Sequence, residues 1–437
     1  MDPGRENEKG QVLVLLPLIL ALLLAIAGFA LDVGMAYVVK TKLSAAVDAA
    51  ALAAGKVVAA QDGTTTVEAE KFFNANYPGG LLGATVELLP VKAAYDNKEK
   101  SWTVTASATA SVPSYFAKAF NWDSFTVGAS ATTTISTVDL VLVLDASGSM
   151  GFPAETLPTL QRAAKRFVAR FNTKNDRIGV IHFASGAEQD VTITSAAGFN
   201  RDQVEGAIDG IEKGGYTTAE EALRLAKQQL DDIPVDLRSR LRIIVFLADG
   251  APNGVAANFS TASGNVVGAL SSATSTPGVL HAVDKGDDFI GTYSGITTLP
   301  GIDWSNTVSM TSFNGMRSFN PPAVTDIQYT RCNLNMAARN MVENVANAAR
   351  SESGPSVTPI TLFAVGLGQH MKDLELGCPG YGSNEYGEVI MKRVANVKDA
   401  DTYNPDQPTG IYVYSEDPTQ IDAAFNQVAG AILRLSK

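Results

Sequence analysis

The stretch VDLVLVLDASGSMG, residues 138–151, decides the fold: a nearly unbroken apolar run ends in Asp145, and Ser147 and Ser149 follow at alternate positions. A run this apolar reads as a strand buried on both faces, the habit of parallel sheets rather than of half-exposed antiparallel ones. Once the strand has ended, one carboxylate and two hydroxyls at alternate positions can converge on a single point. Oxygen-only donors suit a hard divalent cation such as magnesium, and further donors must then come from other strand ends. Two stretches offer them. Thr217 lies in GGYTTAEEAL, where two glycines precede a helix start, and Asp249 lies in FLADGAP, where a second buried strand ends in an acid. Taken alone, Asp-x-Ser-x-Ser is also the composition of an ordinary turn.

Working outward, RIGVIHFA, VTIT, LRIIVFLAD, PITLFAVGLG and GIYVYS are short apolar runs, most of them separated by helical segments such as TLPTLQRAAKRFVARFN and TAEEALRLAKQQL. Strands alternating with helices predict a doubly wound α/β domain over residues 138–437. Its mostly parallel sheet is covered on both faces, and its ligand site lies at the carboxyl ends of the strands. Between about 253 and 328 the alternation lapses into SSATSTPG, TTLPG and SFNPP. A long loop is expected there, inserted near the same sheet edge, serving either as a ligand or partner contact or as a mobile segment without a role.

At the other end of the chain, residues 12–31, VLVLLPLILALLLAIAGFAL, carry no charge. At 1.5 Å per residue they span about 30 Å, the thickness of a bilayer's hydrocarbon core. The competing reading is a secretory signal peptide with small residues at Ala25, Ala27 or Ala30 for cleavage. The anchor is preferred because helix-forming sequence continues directly beyond the run. A short tail left in the cytoplasm, with some four hundred residues exported, is the simplest orientation. Residues 1–60 thus read as a transmembrane anchor continued by an Ala-rich helix. Ala45, Ala46, Ala49, Ala50, Ala53 and Ala54 give that helix a small-residue face for close packing on a partner subunit or on the chain's own next domain, unless alanine is there for helix propensity alone. Residues 61–137 read as a small α/β unit. VEAEKFFNANY is helical up to Pro78, while WTVTASATASV and SFTVGASATTTIS have the period-2 pattern of half-buried strands.

These residues carry a resemblance. DASGSMG, with Thr217 and Asp249 at similar intervals, resembles the metal ion-dependent adhesion site of von Willebrand factor type A domains. The resemblance implies a magnesium ion, with manganese or calcium as substitutes. Ser147, Ser149 and Thr217 would bind it directly, and Asp145 and Asp249 largely through water. Thr218 is the less favoured substitute for Thr217. An open coordination position would take a carboxylate from a protein partner. GQVLVLLPLILALLLAIAGFALDVGMAYVVKTKLSAAVDAAALAAG resembles the start of TadE/TadG-like proteins of tight-adherence pilus assembly, and CNLNMAARNMVENVANAAR, ITLFAVGLG and AFNQVAGAILRLSK resemble the C-terminal half of TadG-like proteins. The implied setting is the bacterial inner membrane, crossed once, with the bulk periplasmic or at the cell surface. Flp-type prepilins are cleaved after a glycine and carry Glu five residues later. Here Gly10 is followed by Gln11 and position 15 is Leu15, so a retained anchor or minor subunit is expected rather than a processed major pilin.

The remaining composition excludes more than it suggests. A net charge of -11 without a basic patch argues against nucleic acid. Cys332 and Cys378 are too few for a disulfide scaffold or a zinc site, and they either bridge in an oxidising compartment or stay as separate thiols. His182, inside an apolar run, reads as a satisfied core histidine rather than a ligand. Asp231 and Asp232 read as helix-end acids, and Trp102, Trp122 and Trp304 are too scattered to form a stacking surface. The expected function is therefore partner binding by a non-enzymatic envelope protein of the pilus system. The alternative is a structural spacer or minor pilin whose metal only stabilises it. Metal-dependent hydrolysis ranks last, because no base is left near the cation once its acids are assigned to holding it.

Overall fold

The computed structural model describes residues 8–58, 64–96, 98–261, 264–271, 280–283, 289–293, 302–303, 314, 327–352, 358–373 and 385–435. They divide into two units, Met1–Ile135 and Ser136–Lys437.

In the first unit, helix α1 (Glu8–Val57) runs for 50 residues straight through Pro17. None of residues 15–27 is buried, and the helix carries an apolar stretch long enough to cross a membrane. Beyond it the helix changes character. Asp32, Ala36, Val39, Leu43, Ala46, Val47, Ala50 and Ala54 recur every three or four positions and are buried, as the inner face of a 3.6-residue repeat must be. That face packs on helix α2 (Thr64–Asn76) and on a four-stranded sheet of β1 (Thr85–Leu88), β2 (Lys92–Asp96), β3 (Ser101–Pro113) and β4 (Ser124–Ser136). The small-residue stripe therefore serves the chain's own head: Ala46, Ala50, Ala53 and Ala54 are buried, while Ala45 is exposed and Ala49 half-buried. Strand β3 meets it with Val104, Ala106, Ala108, Ala110 and Val112, all buried at period two. Its outward Thr105 and Ser107 exchange hydroxyl hydrogen bonds with Thr132 and Ser130 of β4 at 3.0 and 2.9 Å. Strands β1 and β2 were not legible as separate elements in the sequence.

Asp32 is the polar exception on the buried face of α1. Its Oδ1 accepts the Tyr115 amide at 3.0 Å, and its Oδ2 accepts those of Phe116 and Ala117 at 2.9 and 2.7 Å. Three backbone donors replace the water that a buried carboxylate gives up.

In the second unit, β5 (Val138–Asp145), α3 (Thr156–Val168), β6 (Arg177–Phe183), β7 (Ala187–Val191), α4 (Arg201–Asp209), α5 (Ala219–Asp231) and β8 (Leu241–Ala248) open the fold. Next come β9 (Gly254–Thr261), β10 (Gly264–Ser271), β11 (Leu280–Val283), β12 (Phe289–Tyr293) and β13 (Ile302–Asp303). The chain closes with α6 (Ile327–Arg350), β14 (Thr361–Leu367), α7 (Gly387–Val394), β15 (Tyr412–Ser415) and α8 (Ile421–Leu435). The main sheet has the order β15-β14-β8-β5-β6-β7, parallel except for the edge strand β7. Every residue of β5 is buried. Leu140, Leu142 and Leu144 face the core under α3, α4 and α8, whereas Val141 and Val143 face the core under α5, α6 and α7. The continuous apolar run is thus a strand sandwiched between two helical layers.

Two expectations are corrected. VTIT is not a strand beyond Val191; the edge strand is the preceding AEQDV, antiparallel to β6. The segment expected as a loop carries β9 to β13, a five-stranded antiparallel sheet of order β12-β11-β10-β9-β13. Its two longest strands, β9 and β10, match β5 in length but are built largely of Gly, Ala, Ser, Thr and Asn, which hid them beneath the signature of a coil. The pairing of Cys332 with Cys378 lies outside the described residues.

Candidate metal centre

Strand order positions the site. β5 is followed by β6 on one side and, later in the chain, by β8 on the other, so the chain leaves the carboxyl ends of β5 and β8 in opposite directions and opens a crevice between them. Asp145 ends β5, and Asp249 follows β8 directly. Asp145 accepts the Ser147 amide on Oδ1 at 2.8 Å and the Asp249 amide on Oδ2 at 3.3 Å. The hydroxyls of Ser147 and Ser149 lie 3.0 Å apart, and Ser149 donates to Asp249 Oδ1 at 2.9 Å. Four of the five candidate residues therefore form one hydrogen-bonded cluster.

Thr217 enters from a third segment. The loop before α5 is stitched to the serine turn by the Gly214 amide on the Ala146 carbonyl, 2.9 Å, and by the Gly148 amide on the Gly215 carbonyl, 3.2 Å. Thr217 itself donates its amide to Asn253 Oδ1 at 3.0 Å, and the Asn253 amide returns a bond to the Thr217 carbonyl at 3.2 Å. Thr217 is thereby clamped between the turn after β5 and the chain leaving β8. Thr218 is turned elsewhere: its hydroxyl donates to the Ala184 carbonyl at 2.5 Å. The second of the two glycines has a specific task. Gly215 sits at φ +66, and a Cβ there would lie 2.2 Å from Ser185 Oγ, which already accepts the Tyr216 amide at 3.1 Å. Only glycine tolerates both the left-handed backbone and that approach.

The electrostatics are those of a site short of positive charge. Burial, then the neighbouring Asp249, pushes the Asp145 carboxyl up to about 8, and burial pushes Asp249 up to about 6. Asp139, at the entry of the same strand, is handled differently: Arg177 donates to it at 2.7 Å, and Ser239 adds its amide and hydroxyl at 2.7 and 2.8 Å. Among the described residues no Lys, Arg or His pairs with Asp145 or Asp249. Nor do three or more His, Cys, Asp or Glu side chains come together among them in a way that could hold a metal ion. Two converging carboxyls ringed by hydroxyls and lacking a cationic side chain fit a hard divalent ion, and they do not fit a thiol- or imidazole-seeking metal.

The rim carries residues that the sequence did not single out. Phe152, at the end of the serine turn, is 84 % exposed. The Lys213 stem lies over Gly151, where an added Cβ would come within 2.8 Å of it. Asn253 and Ser185 were also missed. The other candidates behave as expected: His182 is paired with Asp190 at 2.9 Å, and Asp231 is engaged by Lys227 at 2.5 Å and by Arg242, at a helix end away from the site.

Residues 140–251 match the von Willebrand factor type A domain family, and residues 10–62 match the Flp pilus-assembly TadE/G-like family. No curated protein matches the chain. Solved structures with a similar course include the mussel byssus proximal thread matrix protein 1, at 13% identity and TM-score 0.35 over 68% of this chain and 46% of that one. They also include the pilus adhesin SpaC of Lactobacillus rhamnosus GG, at 15% and 0.40 over 80% and 35%. A third is the von Willebrand factor domain of the type V pili tip protein of Porphyromonas gingivalis, at 16% and 0.39 over 70% and 98%. The chain thus spans less than half of the first two. Residues 140–251 are thus similar to type A domains and residues 10–62 to the TadE/G-like segment of Flp pilus assembly, and the latter stretch holds a helix long and apolar enough to cross a membrane.

Proposed function

We propose that the chain is a membrane-anchored, non-enzymatic envelope component of a tight-adherence pilus system that binds a protein partner through a magnesium ion. Asp145, Ser147, Ser149, Thr217 and Asp249 would hold the ion. The observation carrying this reading is the convergence of two buried carboxyls and two serine hydroxyls, with the Thr217 loop stitched beside them and, among the described residues, no cationic side chain paired with the acids. Hydroxyl ligands leave a cation under-neutralised, so when bound it would supply electrophilicity toward an incoming carboxylate. Exposed Phe152 and Lys213 at the rim would meet the rest of the partner. Among the described residues the hydrogen-bonded cluster holds only the acids and hydroxyls assigned to the ion, which supports binding rather than turnover.

The buried carboxyls favour a second reading, in which the ion chiefly offsets their burial and the domain is a spacer or minor pilin. The two readings separate in one experiment on the full chain in detergent. Magnesium titration by calorimetry should give a binding isotherm that the double variant Ser147→Ala/Ser149→Ala loses. Envelope proteins retained on the wild-type chain in magnesium should be released by EDTA and should not be retained by the variant. Magnesium binding without any magnesium-dependent retention would favour the spacer, and absence of magnesium binding would end both readings.

A further inference from the structure

The head of the first unit carries a second surface, at the point where α1 stops being bare. Residues 15–27 of the helix have no buried position, and from Asp32 onward one face of it is covered. At this junction the segment 114–125, SYFAKAFNWDSF, folds back on the helix. Ser114 closes it: its amide donates to the Asp123 carbonyl at 3.0 Å, and its hydroxyl donates to the Trp122 carbonyl. The Asp32 carboxylate then ties the amides of Tyr115, Phe116 and Ala117 to the helix. The Phe116 ring fills the space beside Gly28, where an added Cβ would fall 2.5 Å from the ring. Phe29 stacks on Trp122 at 6.1 Å between centroids and meets the edge of Phe125 at 6.1 Å.

The result is a patch of aromatics pinned to one side of the helix yet left uncovered. Tyr115 is 63 %, Phe120 69 % and Trp122 58 % exposed, with Phe116 and Phe29 also exposed and Lys118 between them. A soluble surface does not gather so many large aromatics in one patch without a partner. Trp and Tyr prefer the level where hydrocarbon gives way to headgroups, and a lysine beside them reaches the phosphates. The patch is continuous with the apolar stretch 12–31 and lies against one side of its end, at Gly28, Phe29 and Asp32.

We propose that the loop 114–125, together with Phe29, is an interfacial collar that seats the head on the lipid surface, with Asp32 as the clasp fixing its height on the helix. The proposal rests on the reading of residues 12–31 as a membrane span. It explains why an acid stands directly after the apolar run: three amides bind it internally, so it sets the depth of the collar without facing lipid unpaired.

The test uses the full chain in phosphatidylcholine vesicles. A chain carrying Trp102→Phe and Trp304→Phe reports on Trp122 alone, and a companion chain also carrying Leu23→Trp and Trp122→Phe reports on the span. Each is placed in vesicles brominated near the headgroup or near the chain ends. Trp122 should be quenched severalfold more by shallow than by deep bromines and should be shielded from aqueous iodide, with the order of the two lipids reversed for the tryptophan at position 23. If Trp122 is quenched by iodide and by neither lipid while position 23 answers to deep bromines, the span stands and the collar is overturned. The same holds if Trp122 is shielded from iodide and from both lipids, since a second protein copy then covers the patch. If position 23 also escapes the bromines, the anchor reading falls and takes the collar with it. In addition, Asp32→Ala should make Trp122 quenching by iodide rise severalfold; an unchanged quenching profile would remove Asp32 from the role of clasp.

Discussion

The affinity of the centre for magnesium should depend steeply on pH, and the size of that dependence follows from the two carboxyls. In the folded, metal-free chain burial holds Asp249 at about 6 and burial with Asp249 holds Asp145 at about 8, against an ordinary value of 3.8 for each. Both folded values are raised, so the folded state keeps protons that the unfolded chain has already released. The associated stability is fully present below about pH 4 and is lost as pH rises through the folded values. For Asp249 the rise from 3.8 to about 6 corresponds to roughly 3 kcal/mol. A cation reverses the balance, because it binds the ionised pair and must displace whatever protons remain. Between about pH 6 and 8 Asp249 is largely ionised and Asp145 is not, so each magnesium ion should release about one proton and its affinity should rise about tenfold per pH unit. Calorimetry of the full chain at pH 6, 7 and 8, in buffers of different ionisation enthalpy, reads both the affinity and the proton count. Asp249→Asn should weaken binding and flatten the slope, because Asp145 then loses its charged neighbour. A wild-type affinity independent of pH across this window, with no proton released, would refute the assignment of both acids to the ion.

Three further outcomes follow from the second unit. Gly215→Ala should lower the stability of that unit by about 1–3 kcal/mol, because a Cβ at φ +66 is strained and would meet Ser185 Oγ at 2.2 Å. Magnesium affinity should fall with it as the Thr217 loop shifts, and a thermal melt paired with a titration checks both. Asp139→Ala should cost about 3–5 kcal/mol by leaving the Arg177 guanidinium buried without its carboxylate, yet it should leave magnesium affinity unchanged because it acts at the opposite end of β5. Glu220 is buried, neither of its oxygens has a hydrogen-bond partner among the described residues, and burial pushes it up to about 8. Its raised value means stability is lost as pH climbs from about 4.5 toward 8, by on the order of 3 kcal/mol at pH 7. Glu220→Gln should therefore raise the melting temperature at pH 7 and above and have little effect below pH 4.5, whereas an equal shift at both ends would contradict this.

What could be read in the sequence is what composition along one strand can encode. β5 and β8 were legible because an apolar run ending in Asp is hard to explain otherwise, and Thr217 because two glycines before a helix mark a tight approach. The long-range clamps were not legible. Asn253 holds Thr217 across 36 positions and Ser185 receives Tyr216 across 31, and both look like ordinary polar residues in Gly- and Ser-rich connections. Asp32 is the sharper case. Its partners, 83 to 85 residues away, are backbone amides of Tyr115, Phe116 and Ala117, and every residue but proline has an amide, so the receiving side leaves no mark in the sequence. The same physics separates the two buried acids. Asp32 takes three amides and has no charged neighbour among the described residues, so backbone dipoles satisfy it and tie the loop to the helix. Asp145 takes two amides and faces Asp249; dipoles that stabilise one anion do not stabilise two, and the deficit at the end of β5 is what the proposed cation would offset.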